Sequence, residues 1–250
     1  MTLWTFGDSF SYDIKFLENS NVVRQAGKYP NFIPLKDNWV NLVAKKLGNN
    51  VKQINDSEAG CANEYIFYKF KQRLQEFKEG DCVIICLTSA NRRWLIERSP
   101  HLANWSHCNF DPDNDNVTEK ERVAVTEYAK HLYSDTASYA IYDAILWATI
   151  HAAEELELLG VKVLILPGFE RVPGVNGTLK DVCYNEFDGK KTIDKFYTKT
   201  NDNRWNHLNE VNHKILADKV CDFFTDFKMV DLTNNFEKNI YTKNNIQNFI

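Results

Sequence analysis

The chain has 250 residues, 44% of them apolar and 26% charged, a composition that supports one large globular domain with a packed core. Its 30 Lys and Arg against 34 Asp and Glu leave a net charge of −4 with no long run of one sign, so neither nucleic acid nor an anionic membrane surface is the expected partner. No window holds the roughly 18 apolar residues that span a bilayer, and the N-terminus lacks the basic, apolar and small-residue segments of a secretory signal, so a cytoplasmic protein is expected.

Residues 2–6 read as a short buried strand that Gly7 ends. Over 38–47 a helical stripe of Trp39, Leu42, Val43 and Leu47 follows, with Asp37 as N-cap and Gly48 just past the end. Residues 51–55 make a second strand. Residues 63–77 predict a helix that turns Ile66, Phe67, Phe70, Leu74 and Phe77 inward. The run "DCVIICLTS", 81–89, is continuously apolar and rich in β-branched residues, the pattern of a strand covered on both faces. Residues 99–118 read as a polar surface excursion. Helices are predicted over 119–133 and 135–159, the second stopping at Gly160, and "VKVLILP", 161–167, is the next buried strand. Residues 170–206 read as mostly irregular chain. A last helix over 208–225 carries the stripe Val211, Ile215, Leu216, Val220 and Phe223. The tail, 226–250, is read as a C-terminal extension with one short strand at "KMVDL".

Strand and helix alternate along the chain, and parallel strands need helical crossovers. The expected fold is α/β, a three-layer α/β/α sandwich around a mostly parallel, doubly wound sheet of flavodoxin-like order, in one domain over 1–250. Reactive loops of such folds gather at the carboxyl ends of the strands. Ser9 follows the first strand, Gly60 the second and Asn91 the third, so three loops are expected to meet at one edge.

The six cysteines, Cys61, Cys82, Cys86, Cys108, Cys183 and Cys221, form no C-x-x-C pair and read as reduced, mostly buried thiols. The stretch 111–122 starts like a calcium loop at Asp111, Asp113 and Asp115, but has Asn116 where glycine belongs and Arg122 where glutamate belongs. His101, His107 and Cys108 lack structural zinc spacing. A solvated loop accounts for all of them.

Four separated blocks carry a resemblance. They are Phe6-Gly7-Asp8-Ser9-Phe10-Ser11, Ser57-Glu58-Ala59-Gly60-Cys61-Ala62-Asn63, Ser89-Ala90-Asn91-Arg92 and Asn206-His207-Leu208-Asn209. In content and order they resemble the SGNH (GDSL-type) hydrolase family. The resemblance implies Ser9 as nucleophile, His207 as catalytic base, and Ser9, Gly60 and Asn91 as oxyanion-hole donors. Two positions depart from the family's pattern. Arg204 stands where an aspartate usually orients the histidine, leaving Asp202 or a backbone carbonyl for that task. The third block has Ser89 for its glycine and Arg92 for its aspartate.

A serine hydroxyl needs a base to take its proton, and neutral histidine suits that near pH 7. Acyl transfer also needs donors aimed at the developing oxyanion. The absence of G-x-S-x-G argues against the other common serine-esterase architecture. Arg92 and Arg93 either contact an anionic substrate or pair with carboxylates. Asp8, a candidate substrate contact, fixes the turn by hydrogen bonds rather than doing acid–base chemistry, and Ser9 in a plain reading caps a helix. His213, inside the last helix, reads as a packing residue. The expected activity is hydrolysis of a small-molecule or carbohydrate ester, with Phe10, Tyr12, Trp94 and Trp105 available to stack on sugar rings. This chemistry requires no metal or organic cofactor. The alternative is a non-hydrolytic glycan-binding or structural protein of the same fold, for example in a viral particle.

Overall fold

The computed structural model describes residues 1–12, 38–58, 60–94, 118–131, 134–183, 185–187 and 208–241. In chain order the elements are β1 (Thr2–Phe6), α1 (Trp39–Leu47), β2 (Lys52–Asn55), α2 (Asn63–Arg73), β3 (Cys82–Leu87), α3 (Glu119–His131), α4 (Asp135–Leu158), β4 (Lys162–Pro167), β5 (Val175–Asn176), β6 (Asn185–Phe187), α5 (Glu210–Asp226), β7 (Val230–Asp231) and β8 (Asn239–Tyr241). The fold is α/β, built on a parallel four-stranded sheet. The chain groups into two compact units, Met1–Tyr12 with Asn50–Val175, and Asp13–Asn49 with Asn176–Ile250.

The first unit contains the sheet, in the order β2-β1-β3-β4. Phe6 pairs with Ile85 and Leu87 with Pro167, while Thr5 pairs with Asn55 on the other side of β1. The chain places β2 on one side of β1 and β3 on the other, so the winding direction reverses between β1 and β3. In open α/β sheets ligands bind beyond the carboxyl ends of the strands at such a reversal. All six residues of β3 are buried, as its unbroken apolar run requires.

A buried acid sets the opposite end of the β1–β3 pair. The Asp81 carboxylate accepts the Thr2 N–H at 2.6 Å, the Trp4 indole N–H at 3.1 Å and the Lys78 N–H at 3.2 Å. Next to it, α2 packs Phe70 edge-on against Phe6 at 5.6 Å between ring centroids, and Phe77, beyond the helix, lies edge-on against Trp4 at 5.1 Å. The helix is shorter than its periodicity predicts. It ends at Arg73, tightens into a 3-10 turn over Leu74–Glu76, and leaves Phe77 extended. The reason is the turn into β3, where Asp81 N–H bonds the Lys78 carbonyl. Phe77 belongs to the same aromatic cluster without belonging to the helix.

Long α4 starts at the N-cap Ser134, whose hydroxyl accepts the Ala137 N–H, and it packs on β4 and α2. Thr118 and Glu121 cap α3 reciprocally: the Glu121 carboxylate accepts the Thr118 N–H at 2.8 Å, and Glu121 N–H reaches back to the threonine hydroxyl. The preceding calcium-like residues, 111–117, lie outside the described residues.

In the second unit α1 packs against α5. The N-cap of α1 is Asn38 rather than Asp37, which lies outside the described residues. Asn38 is extended (φ −81°, ψ 169°) and its side chain accepts the Asn41 N–H at 2.9 Å. Gly48, at φ 143°, ends the helix in a conformation that only glycine adopts readily.

The buried face of α5 is Asn212, His213, Leu216, Ala217, Val220 and Phe224, about one residue round from the predicted stripe, and Val211 is 41% exposed. Hydropathy misplaces this face because two polar residues lie in it with their hydrogen bonds made. His213 Nδ1 accepts the Trp39 N–H at 3.0 Å, an orphan donor of the first turn of α1. Asn212 donates to the carbonyls of Val182 and Glu237 and accepts the Glu237 N–H. The stretch predicted as irregular over 170–206 contains β5, a 3-10 turn over Lys180–Val182 and β6. β6 pairs in parallel with β8, more than fifty positions away, so nothing local announces it. Residues 188–206 lie outside the described residues. Among the described residues no helix is long and apolar enough to cross a membrane.

The corrected face of α5 is testable. Leu216→Ala is expected to lower unfolding stability by about 2–5 kcal/mol, whereas Val211→Ala changes it by less than about 0.5 kcal/mol. Urea denaturation of the two variants, which the sequence stripe treats as equivalent, decides between the two faces.

Candidate functional site at the carboxyl ends of β1, β2 and β3

β1 ends at Phe6 and the chain turns at once. Gly7 occupies a position where a side chain does not fit: a Cβ there would lie 2.6 Å from the Cβ of Cys86 on β3 and would overlap the Ser11 hydroxyl. The next residues form a single helical turn in which the Asp8 carbonyl accepts the N–H groups of Ser11 and Tyr12, both at 3.0 Å. Asp8 also caps this turn, its Oδ1 accepting the Phe10 N–H at 3.0 Å. The capping role that the sequence leaves open for Ser9 therefore belongs to Asp8. Ser9 is half-buried, and neither its hydroxyl nor its N–H bonds to any described residue.

The loop after β2 is tied to this turn. Glu58 N–H donates to the Gly7 carbonyl at 2.9 Å, and the Cys61 thiol approaches the same oxygen at 3.4 Å. The Ser57 and Ser11 hydroxyls meet at 2.9 Å, and the Asn55 amide donates to the Ser11 carbonyl at 2.8 Å. Gly60 adopts φ 78°, a left-handed conformation, within this loop. The Gly60 N–H donates to no described residue.

Thr88, the first residue beyond β3, joins all three loops and is fully buried. Its hydroxyl donates to Asp8 Oδ2 at 2.7 Å, its N–H donates to Asn63 Oδ1 at 2.7 Å, and its carbonyl accepts from the Asn63 amide at 3.0 Å. The same amide reaches the Ser89 carbonyl at 3.2 Å. Arg92 completes the knot, its Nη1 lying 2.6 Å from both Asp8 Oδ2 and the Thr88 hydroxyl. The guanidinium lies over the Phe169 ring, 5.4 Å from its centroid, and Phe169 packs edge-on against Phe10 at 5.6 Å. Arg93 pairs with Glu64 at 2.6 Å. Arg92 and the adjacent Arg93 thus both have carboxylate partners. Asn91, partly buried, has its N–H on the Ser89 hydroxyl at 3.2 Å.

The structure therefore brings together the loops of Ser9, Asp8, Gly60, Asn91 and Arg92. His207, Asp202 and Arg204 lie outside the described residues, as do Trp105 and Cys108. The two residues after His207 are anchored: Leu208 is buried, and Asn209 caps α5 by accepting the Asn212 N–H at 2.7 Å. Trp94, considered for sugar stacking, packs against Tyr65 and Tyr68, each at 5.2 Å. Sequence reasoning assigned no role to Asn63, Thr88 or Phe169. The first had a signal: Ala62 precedes α2 and makes no side-chain cap, so a buried asparagine beside it has its hydrogen bonds to spend elsewhere.

The five described cysteines are free thiols. Burial pushes Cys61 and Cys86 up, with the nearby Asp8 carboxylate as the second cause. Burial likewise pushes Cys221 up to about 11. Comparison with protein-family models, with curated proteins and with solved structures returns no match for this chain.

Two outcomes are expected. The unfolded chain ionises its thiols above about pH 8.5, where the fold keeps Cys61 and Cys86 protonated. The folded pKa is the raised one, so their contribution is complete below that pH. It declines as pH rises above that value, because the unfolded chain then releases thiol protons that the fold retains. Urea midpoints measured from pH 7 to 10.5 check this, and Cys86→Ala should flatten the decline. Separately, Asn63→Leu leaves the buried Thr88 N–H unpaired and is expected to cost about 1–3 kcal/mol in the same assay.

Proposed function

We propose that this chain is a serine hydrolase cleaving a carboxylic ester, on a three-layer α/β/α sandwich of the SGNH (GDSL-type) kind. The observation that carries the reading is the bonding of three loops at one sheet edge. Ser9, Gly60 and Asn91 lie on loops after successive strands of a β2-β1-β3-β4 parallel sheet, and the Ser9 hydroxyl has no partner among the described residues. Open α/β sheets bind ligands at such a winding reversal.

In this mechanism Ser9 Oγ attacks the acyl carbon while His207 takes its proton. Asp202 or a backbone carbonyl orients the imidazole. The N–H groups of Ser9 and Gly60 and the side-chain amide of Asn91 stabilise the tetrahedral oxyanion. His207 then returns the proton to the departing alkoxide, and a water activated by the same imidazole releases the acyl group. Each oxyanion donor contributes about 100- to 1,000-fold in rate. The substrate class that fits best is a short acyl group on a carbohydrate or small polar alcohol. A non-hydrolytic glycan-binding or structural role is the second reading, favoured by Arg204 at the place of the usual aspartate.

Turnover of p-nitrophenyl acetate separates the two. The enzyme reading expects hydrolysis that falls to background in Ser9→Ala and by at least about 1,000-fold in His207→Ala, with thermal unfolding unchanged. Folded wild-type protein that neither hydrolyses short esters nor reacts with a fluorophosphonate overturns it.

A further inference from the structure

We propose that Arg92 is a positioning residue for the nucleophile, its cation committed to Asp8, and that this edge of the site consequently serves uncharged esters. The inference rests on the serine hydrolase reading and concerns the same site. Asp8 immediately precedes Ser9, and its carboxylate holds the chain on both sides of that residue. Oδ1 accepts the Phe10 N–H, and Oδ2 receives Thr88 and Arg92. A carboxylate whose side chain is 1% exposed needs a fixed cation, and Arg92, itself 15% exposed, supplies it from the third loop. Phe169 covers one face of the guanidinium, and Gly168 N–H fixes that cover by donating to the Leu87 carbonyl at 2.7 Å. The place of Ser9 thus depends on an ion pair between the first and third loops.

The same geometry disfavours Arg92 as an anchor for an anionic substrate. An incoming carboxylate would compete with Asp8 for one guanidinium and would lie beside the Asp8 charge. Arg93 offers no substitute, because Glu64 already holds it at 2.6 Å.

The test compares wild type with Arg92→Met, Arg92→Lys and the double variant Asp8→Asn/Arg92→Met. Each is assayed on neutral p-nitrophenyl acetate and on anionic p-nitrophenyl hemisuccinate. A positioning role expects Arg92→Met to lose about 10- to 100-fold in kcat on both esters, with KM within about 2-fold of wild type. Arg92→Lys should recover most of that loss, and the double variant part of it, because no buried charge is left unpaired. Wild type should prefer the acetate. The proposal is overturned if Arg92→Met raises KM for the hemisuccinate alone and leaves acetate turnover intact. Near-UV circular dichroism checks folding; should Arg92→Met fail to fold, Arg92→Lys and the double variant carry the same comparison. If wild type hydrolyses neither ester, amide hydrogen exchange at 10–12 tests the clamp alone, and the hydrolase reading fails if fluorophosphonate labelling is absent too. Exchange should be faster in Arg92→Met, or in Arg92→Lys if the former is unfolded, than in wild type; unchanged exchange sinks the clamp.

Discussion

The Asp8 carboxylate is removed from water and has to be met by donors, and the arrangement of the sheet edge follows from how they reach it. An unpaired buried carboxylate would cost several kcal/mol, enough to consume much of the stability of a domain. Phe10 N–H, the Thr88 hydroxyl and the Arg92 guanidinium meet this one, from two different loops. Asn63, at the start of α2, takes up the Thr88 backbone N–H and carbonyl and so ties the second loop to the same residue. The three loops are therefore one hydrogen-bonded network, and networks of this kind in low dielectric respond to the loss of a member as a whole.

A second buried carboxylate works at the other end of the same strand pair. Asp81 collects two donors from β1 and one from the turn before β3, and so fixes where the two strands begin. Parallel strands are apolar on both faces and their side chains alone specify register weakly. Polar clamps at the two ends supply what the apolar run between them lacks. The aromatic cluster of Trp4, Phe6, Phe70 and Phe77 adds burial beside them.

The second unit applies the same rule to helices. Asn212 and His213 are buried on α5 because each completes a hydrogen bond that another segment leaves open: the carbonyls of Val182 and Glu237 in one case, the first turn of α1 in the other. In both units, a buried polar side chain marks a place where distant segments are joined.

The sequence by itself determined the four strands of the main sheet and the five α-helices among the described residues, the alternation that makes the sheet parallel, and the three loops that carry Ser9, Gly60 and Asn91. It could do so because periodicity, Gly punctuation and unbroken apolar runs are local signals. Tertiary structure alone decided where α2 stops, which face α5 buries, that Asn38 caps α1, and that β6 pairs with β8. It also decided that Arg92 is matched to Asp8 from 84 positions away, whereas the turn that Asp8 fixes is local and legible beforehand. Those outcomes depend on which donors and acceptors meet after the chain has folded, and a polar residue's partner is not written in its neighbours. A buried Asn212 looks, in sequence, like a residue for the solvent side, and only its satisfied hydrogen bonds place it inside, whereas His213 packs as its place in the helix suggests.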